Sequence, residues 1–409
     1  MTVTDPTGCS FVSYRRVRKD DVALFVACQN EQGIPTWQDI RELGEGPTED
    51  QIADVLADPS TANSVLWLTP EVANSSFIKK VEVPHIISRF DAGDEFFVAT
   101  IAAGGLDYSS AADTIRDHTG LHDVSKWNIH SVGDPIGLSD ARALASLILR
   151  ARIEAVNRVT PSGEALKIRL WVRQPVPFQL GYALSLDWNH LFEERHAGES
   201  VWQDRLIPAL DAAIGAIEYV APGRRIVASG RPTTSAAVAL GITCLAPRQI
   251  DISWAQFTTG RGEEEWSLRD TREPSHFSHR LVSGSTDSDE LAVLVSVADD
   301  VVPAFTASRR ELPDFRAVLN IAKDTSPPHS VESSRQAVDL AKLVAHAVRT
   351  TRRDLKLLGG VHFFMAVPVG LGMLLGQLLN TLGEVHLYEL ASVDGVGRYR
   401  HELTLRPSG

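Results

Sequence analysis

The sequence predicts an α/β protein of two domains, and three observations carry that expectation. The chain has 409 residues, about twice the usual domain size. Short apolar runs alternate with amphipathic stretches, the pattern of parallel sheets covered by helices. In the second half, "RRIVASGRPTTSAAVALG" and "GVHFFMAVPVGLGMLLG" are each an apolar strand, a Pro-bearing turn and a helix of small and Leu residues. An internal echo of this kind predicts two similar Rossmann-like units facing one another.

In the first half, strands are expected at residues 10–13, 65–68 and 96–101. Between them, "DDVALFVACQNEQG" sets Leu24, Phe25 and Cys28 at helical spacing and stops at Gly33, and "TEDQIADVLAD" has Thr48 as its N-cap. The helix "SDARALASLILRARIEAVNR", capped by Ser139, closes the domain, and "VTPSGEA" supplies turn residues. The expected organisation is a domain at 1–158, a linker at 159–166 and a domain at 167–409.

Hydrophobic content of 44% and charged content of 22% are ordinary for soluble globular chains. The net charge of -12 argues against a grip on long DNA or RNA, which needs Lys and Arg to neutralise phosphates. Small anions stay open, because one local Arg cluster is enough for them. Cys9, Cys28 and Cys244 are odd in number and include no CxxC pair, so neither a disulfide framework nor a metal site is read, and a cytoplasmic location fits. The start "MTVTDPTGCS" has no basic stretch before an apolar core, so no secretory signal is expected. Residues 361–383 approach the roughly 20 residues of a membrane span. Pro368 sits in their middle, and His362, Gln377 and Asn380 interrupt them, so they read as a buried strand running into a buried helix, with no membrane partner.

Taken in order, "FVSYRR", "GIPTWQD", "LGEG" and "SVLWLTPEVANSSFIKKVE" make residues 1–158 resemble the Toll/interleukin-1 receptor (TIR) family. The resemblance implies a flavodoxin-like parallel sheet and, as in many bacterial members, hydrolysis of NAD+ with release of nicotinamide. Glu82 is then the catalytic residue, Tyr14 and Arg15 line the nucleotide site, and Trp37 stacks on a base or on nicotinamide. Phe77 also belongs to the implied substrate site, although it stands five residues before Glu82 where the family often has a Trp four before. One carboxylate suffices for this chemistry. The leaving pyridinium needs no acid to protonate it, whereas ordinary glycosides use two carboxyl groups. Common to both is an oxocarbenium-like transition state that a nearby anion stabilises. A lone helical glutamate is otherwise an ordinary solvated residue, and Arg15 and Trp37 alone would be a rim and a packing residue.

"SGRPTTSAAVALG", "VGLGMLLGQLLN" and "HLYE" make the second half resemble the SAVED domain, a sensor module of bacterial anti-phage systems with two Rossmann-like, CARF-like units. TIR–SAVED fusions are effectors of cyclic-oligonucleotide-based anti-phage signalling (CBASS). The resemblance implies that a cyclic oligonucleotide, with cyclic tri-adenylate favoured, is the activator. NAD+ is the substrate and no cofactor is required. Ligand binding then drives self-association, which yields filaments if the contacts are open and rings if they close. Gly230, Arg231, Pro232, Thr233 and Thr234 on one turn, with Pro368, Val369, Gly370 and Leu371 on the other, would carry helix N-termini towards the phosphates. Trp171, Trp188 and Trp254 are read as core, with base stacking as the alternative. Two rival readings stand beside this one. The first is a non-enzymatic TIR adaptor. The second is an NAD(P)-dependent oxidoreductase, suggested by "GLGMLLG" and Glu389 but with Pro368 where a dinucleotide fingerprint begins with Gly.

Overall fold

The computed structural model describes residues 3–37, 48–73, 75, 78–119, 128–173, 178–258, 262–323, 331–393 and 395–407. Of the candidate site residues only Phe77 lies outside them, as does the "LGEG" stretch. The chain forms two compact units: Met1–Arg169 with Val176–Asp187 and Gly215–Pro222, and Leu170–Pro175 with Trp188–Ile214 and Gly223–Gly409.

The first unit is built on five strands, β1 (Cys9–Ser13), β2 (Thr36–Trp37), β3 (Thr61–Leu68), β4 (Phe97–Ala102) and β5 (Ile129–Ser131), in the order β2-β1-β3-β4-β5. Every pairing is parallel. This is the flavodoxin-like order. The central strand β3, TANSVLWL, is buried at every position, as expected for a strand covered on both faces. Helices α1 (Lys19–Glu31), α2 (Thr48–Ala57), α3 (Val83–Asp91), α4 (Tyr108–Thr119) and α5 (Leu138–Val159) make the crossovers and the closing element.

Phe11, Ile52, Leu66, Ile78, Val83 and Ile86 meet in one apolar cluster. Each such side chain contributes about 1.5–3 kcal/mol on leaving water. The expected elements are present with shifted ends. Ser139 does not cap α5, which starts one residue earlier with Gly137 in the cap position and no side-chain capping bond. Thr48 opens α2 as its first residue.

The second unit contains the end of β6 (Leu166–Trp171) beside β8 (Ile226–Arg231), followed by β9 (Ile252–Thr258) and β10 (Gly262–Trp266); β7 (Leu184–Asp187) belongs to the first unit. A six-stranded sheet follows in the order β11-β13-β12-β14-β15-β16, from β11 (Phe277–Ser283), β12 (Leu291–Ser296), β13 (Ala317–Lys323), β14 (Val361–Ala366), β15 (Val385–Val393) and β16 (Val396–Leu405). Its four central strands, β13, β12, β14 and β15, are parallel.

The predicted echo is present. β8 leads through Pro232 into α6 (Thr234–Thr243), and β14 leads through Pro368 into α8 (Val369–Gly376), which follows the long helix α7 (Ser334–Leu355). α6 and α8 pack on each other so closely that a Cβ on Gly241 would sit 2.2 Å from Met373 O, and one on Gly376 would sit 2.3 Å from Val238 O. Only glycine permits that approach. Among the described residues no helix is long and apolar enough to cross a membrane, and residues 361–383 divide into strand and helix as expected.

Candidate functional site

Two sites emerge, one in each unit. In the first unit the strand order reverses between β1 and β3, which leaves a crevice outside their carboxyl ends, the place where ligands bind in open α/β sheets. Glu82 reaches that end. It closes a π-helical turn, Ile78–Glu82, immediately before α3. Pro84 near the start of α3 has no N–H and crowds the carbonyl four residues back, which accounts for the wider turn before it. Ile78, Val83 and Ile86 anchor the segment in the core, so the glutamate's position is set by packing.

Glu82 is only 6% exposed, and Ser13, the last residue of β1, donates a short hydrogen bond from Oγ to Glu82 Oε2. Tyr14, the next residue, is buried, and Arg15 Nη1 donates to Ser75 Oγ at 3.2 Å. Glu82, Tyr14 and Arg15 therefore gather at the β1 end of the crevice. Arg18 fixes its rim, at 2.8 Å from Asp134, 3.6 Å from Glu71 and 3.7 Å from Asp21. The cavity beside Ser13, walled by Leu68, Val72, Ile78 and His118, is about 10 Å³, on the order of one water molecule. Trp37 stands elsewhere. It stacks on Phe11 with centroids 5.2 Å apart and lines a separate cavity of about 360 Å³ with Cys9, Thr61 and Arg169.

In the second unit, the two Pro turns meet in one cavity of about 640 Å³, lined by Gly230, Arg231, Pro232 and Thr234 from the first turn and by Pro368 and Val369 from the second. Gly230, with φ +126°, brings its backbone against β6, where a Cβ would meet Leu170 O at 2.2 Å. Thr233, Gly370 and Leu371 lie behind this surface. Thr233 caps α6 by accepting from Ala236 N, Leu371 is buried, and a Cβ on Gly370 would press on Trp266 and Trp254.

One N–H at the start of each helix is already partnered. Ser235 N donates to Glu389 Oε1 at 2.6 Å, and Gly370 N donates to Gln256 Oε1 at 3.0 Å. The cavity's positive charge comes instead from Arg173, Arg195 and Arg231. Burial first, and then the like charge of Arg195, hold Arg173 below the ordinary guanidinium value, and its buried Nε has no hydrogen-bond partner among the described residues. Arg231 lies 5.7 Å over the ring of Trp171, whereas Trp188 and Trp254 are core residues. Asp299 and Asp300 also line the cavity, and burial pushes Glu389 above the usual carboxylate range. Arg173, Arg195 and Gln256 carry no motif of their own; they become legible only when β6, β9 and the 188–198 connection are folded round the turns.

The comparisons with known proteins bear on this cavity. The family model of the SMODS-associated and fused to various effectors sensor domain, SAVED, matches residues 216–405. The chain carries a SAVED domain. The structure aligns over 96% of this chain with all of the Cap4 SAVED/CARF-domain containing receptor of Acinetobacter baumannii with the cyclic trinucleotide 3'3'3'-cAAA, at TM-score 0.51 and 15% identity. It aligns to the same extent with that receptor carrying 2'3'3'-cAAA, at TM-score 0.50 and 16% identity. Identities this low show a shared fold. No curated protein matches the chain. The SAVED match takes in both Pro turns, α6, α8 and the six-stranded sheet.

Proposed function

We propose that the chain is an NAD+ hydrolase of the TIR type that stays off until a cyclic oligonucleotide, cyclic tri-adenylate first among the candidates, fills the SAVED cavity, and that it serves CBASS anti-phage defence. The observation that carries the enzymatic part is the buried Glu82 carboxylate, bonded to Ser13 at the point where the strand order reverses. An anion held there lies where the α/β fold binds nucleotides, and it would stabilise the positive charge that develops on the ribose as nicotinamide leaves. Ser13 would fix which carboxylate oxygen faces the sugar.

The sensing part rests on the Arg-lined cavity. A ring of three nucleotides presents three phosphates, and three guanidiniums are suited to them by charge-assisted hydrogen bonds. Trp171 beneath Arg231 offers a flat surface for a base. The solved receptors of like fold were obtained with cyclic tri-adenylates, which favours that ring for this chain.

The small cavity beside Ser13 is walled by core side chains such as Leu68, Val72 and Ile78 and is not itself a place for a dinucleotide. In this reading the hydrolase site is completed when protomers assemble, and the ligand can drive assembly only by its preference for the assembled state. The test is a screen of cyclic di-, tri- and tetranucleotides, with nicotinamide release and sedimentation read on the same samples. Cleavage and a faster-sedimenting species are expected together with cyclic tri-adenylate. Assembly without nicotinamide would favour an adaptor, and cleavage by an unchanged monomer would exclude assembly as the switch.

A further inference from the structure

On the six-stranded sheet, away from the cavity just described, three ligating side chains converge. Glu290 directly precedes β12, His362 is the second residue of β14 and His386 the second of β15, so all three stand at the amino ends of neighbouring parallel strands. His362 and His386 are direct partners in the β14–β15 register, which puts their rings on one face. One ligand atom from each of the three residues lies within 4.8 Å of the others, and His362 Nε2 is 3.0 Å from Glu290 Oε2. Space for them is reserved by the absence of a side chain at Gly360, where a Cβ would sit 2.5 Å from His386 Nε2 and 3.0 Å from Glu290 Oε2.

We propose that Glu290, His362 and His386 bind one divalent transition-metal ion, with zinc the best fit. Two imidazoles, which are borderline donors, with one carboxylate oxygen form a His2Glu set of the kind Zn2+ takes, and leave a position for water or a further carboxylate. Glu384 Oε2, 3.7 Å from His386 Nε2, is placed to fill it. Tetrahedral zinc with bonds of about 2.0–2.1 Å puts its donors roughly 3.3 Å apart, so small movements close the site. The one substantial movement is a turn of the His386 ring, because the two rings now stack 15° from parallel with centroids 4.2 Å apart. His386 is the less buried of the two, and the turn can pivot about its Nδ1 contact with Thr404.

The outer contacts fit ligation as well. His362 Nδ1 lies 2.9 Å from Tyr388 Oη, and His386 Nδ1 lies 3.1 Å from Thr404 Oγ1. Each ring can donate its Nδ1–H outward and turn the Nε2 lone pair to a metal, the arrangement that orients histidine ligands in metal sites. Arg352 influences Glu290 electrostatically and donates to Gly359 O at 2.6 Å, so a cation entering the site adds to a carboxylate already neighboured by one guanidinium. The carboxyl end of β14, and the turns that follow β12 and β14, line the Arg cavity. A metal would thus tie together the far ends of the strands that position it.

The test uses the full-length chain, stripped with chelator, incubated with zinc sulfate, passed through gel filtration and counted by elemental mass spectrometry. One zinc per chain is expected, with visible d–d bands when Co2+ replaces it. Because His362 is buried, the variants are Glu290→Gln and His386→Asn, with circular dichroism to confirm folding. Each should weaken zinc binding by at least about tenfold and remove the zinc-dependent rise in Tm. No zinc retained by the folded wild-type chain, or retention unaltered in both folded variants, would overturn the proposal.

Discussion

The two sites differ in how much of each is already assembled within its own unit. The Arg cavity of the second unit has a volume of about 640 Å³ and collects residues from strands, turns and a connection far apart in sequence. At the Glu82 crevice the polar groups are in place, and the described residues beside Ser13 enclose a separate small cavity of about 10 Å³ walled by core side chains. On the proposed reading, the sensor is ready before its signal, whereas a hydrolase of an essential dinucleotide must wait for it. On that reading, regulation would lie in ligand-driven assembly acting on a carboxylate that is already positioned.

The hardest way to break this comparison is to remove the carboxylate. Glu82→Gln should lower nicotinamide release at least about a hundredfold, the usual cost of losing a transition-state electrostatic partner. Ligand binding, followed by calorimetry, should be unchanged. Turnover that survives would take Glu82 out of the mechanism.

Next come the cavity arginines. Arg173→Ala or Arg231→Ala should each weaken cyclic tri-adenylate binding by about 10- to 100-fold, since a hydrogen bond to a charged group contributes about 1.5–3 kcal/mol. The activation midpoint should move in step with affinity, and the rate at saturating ligand should hold. A loss of saturating rate with affinity intact would mean these residues act on the effector rather than on sensing.

The seam between α6 and α8 gives a smaller effect that concerns folding. Gly376→Ala must push against Val238 O, which a Cβ would approach to 2.3 Å. Overpacking of this kind costs about 1–3 kcal/mol, measurable as a lower midpoint in urea. An unchanged midpoint would mean that the two helices do not pack as described.

The smallest expected effect is a pH dependence. Glu389 is raised above its ordinary value of 4.5 by burial, with the Ser235 N–H opposing. The stability it contributes is therefore full below pH 4.5 and is lost as pH rises through the raised folded value. Glu389→Gln should flatten that fall in urea midpoint above pH 4.5, and parallel profiles for the two proteins would refute the assignment.

Much of the fold was legible because its signals are local. The buried run TANSVLWL, the alternation of strands and helices and the repeated strand, Pro turn and small-residue helix each announce themselves within a few residues. The ends of elements were less so. Ser139 has the chemistry of a cap, yet α5 begins before it, because packing of Ala141, Leu144 and Ala145 decides where the helix starts.

The sites were half legible. The two turns at Gly230 and Pro368 were found from pattern, and they do meet. That their helix N-termini are occupied by Glu389 and Gln256 could not be read, because those partners come from other strands. Ser13 is one serine in an apolar run until β1 and the segment before α3 are brought together. Glu290, His362 and His386 were hidden for the same reason: strand register unites them, not spacing.

The most direct measurement is the rate of nicotinamide release from NAD+ by the purified full-length chain, with and without cyclic tri-adenylate. The account predicts negligible release alone and steady release at saturating ligand. Equal rates in the two samples, or none in either with any cyclic di-, tri- or tetranucleotide that binds, would contradict it.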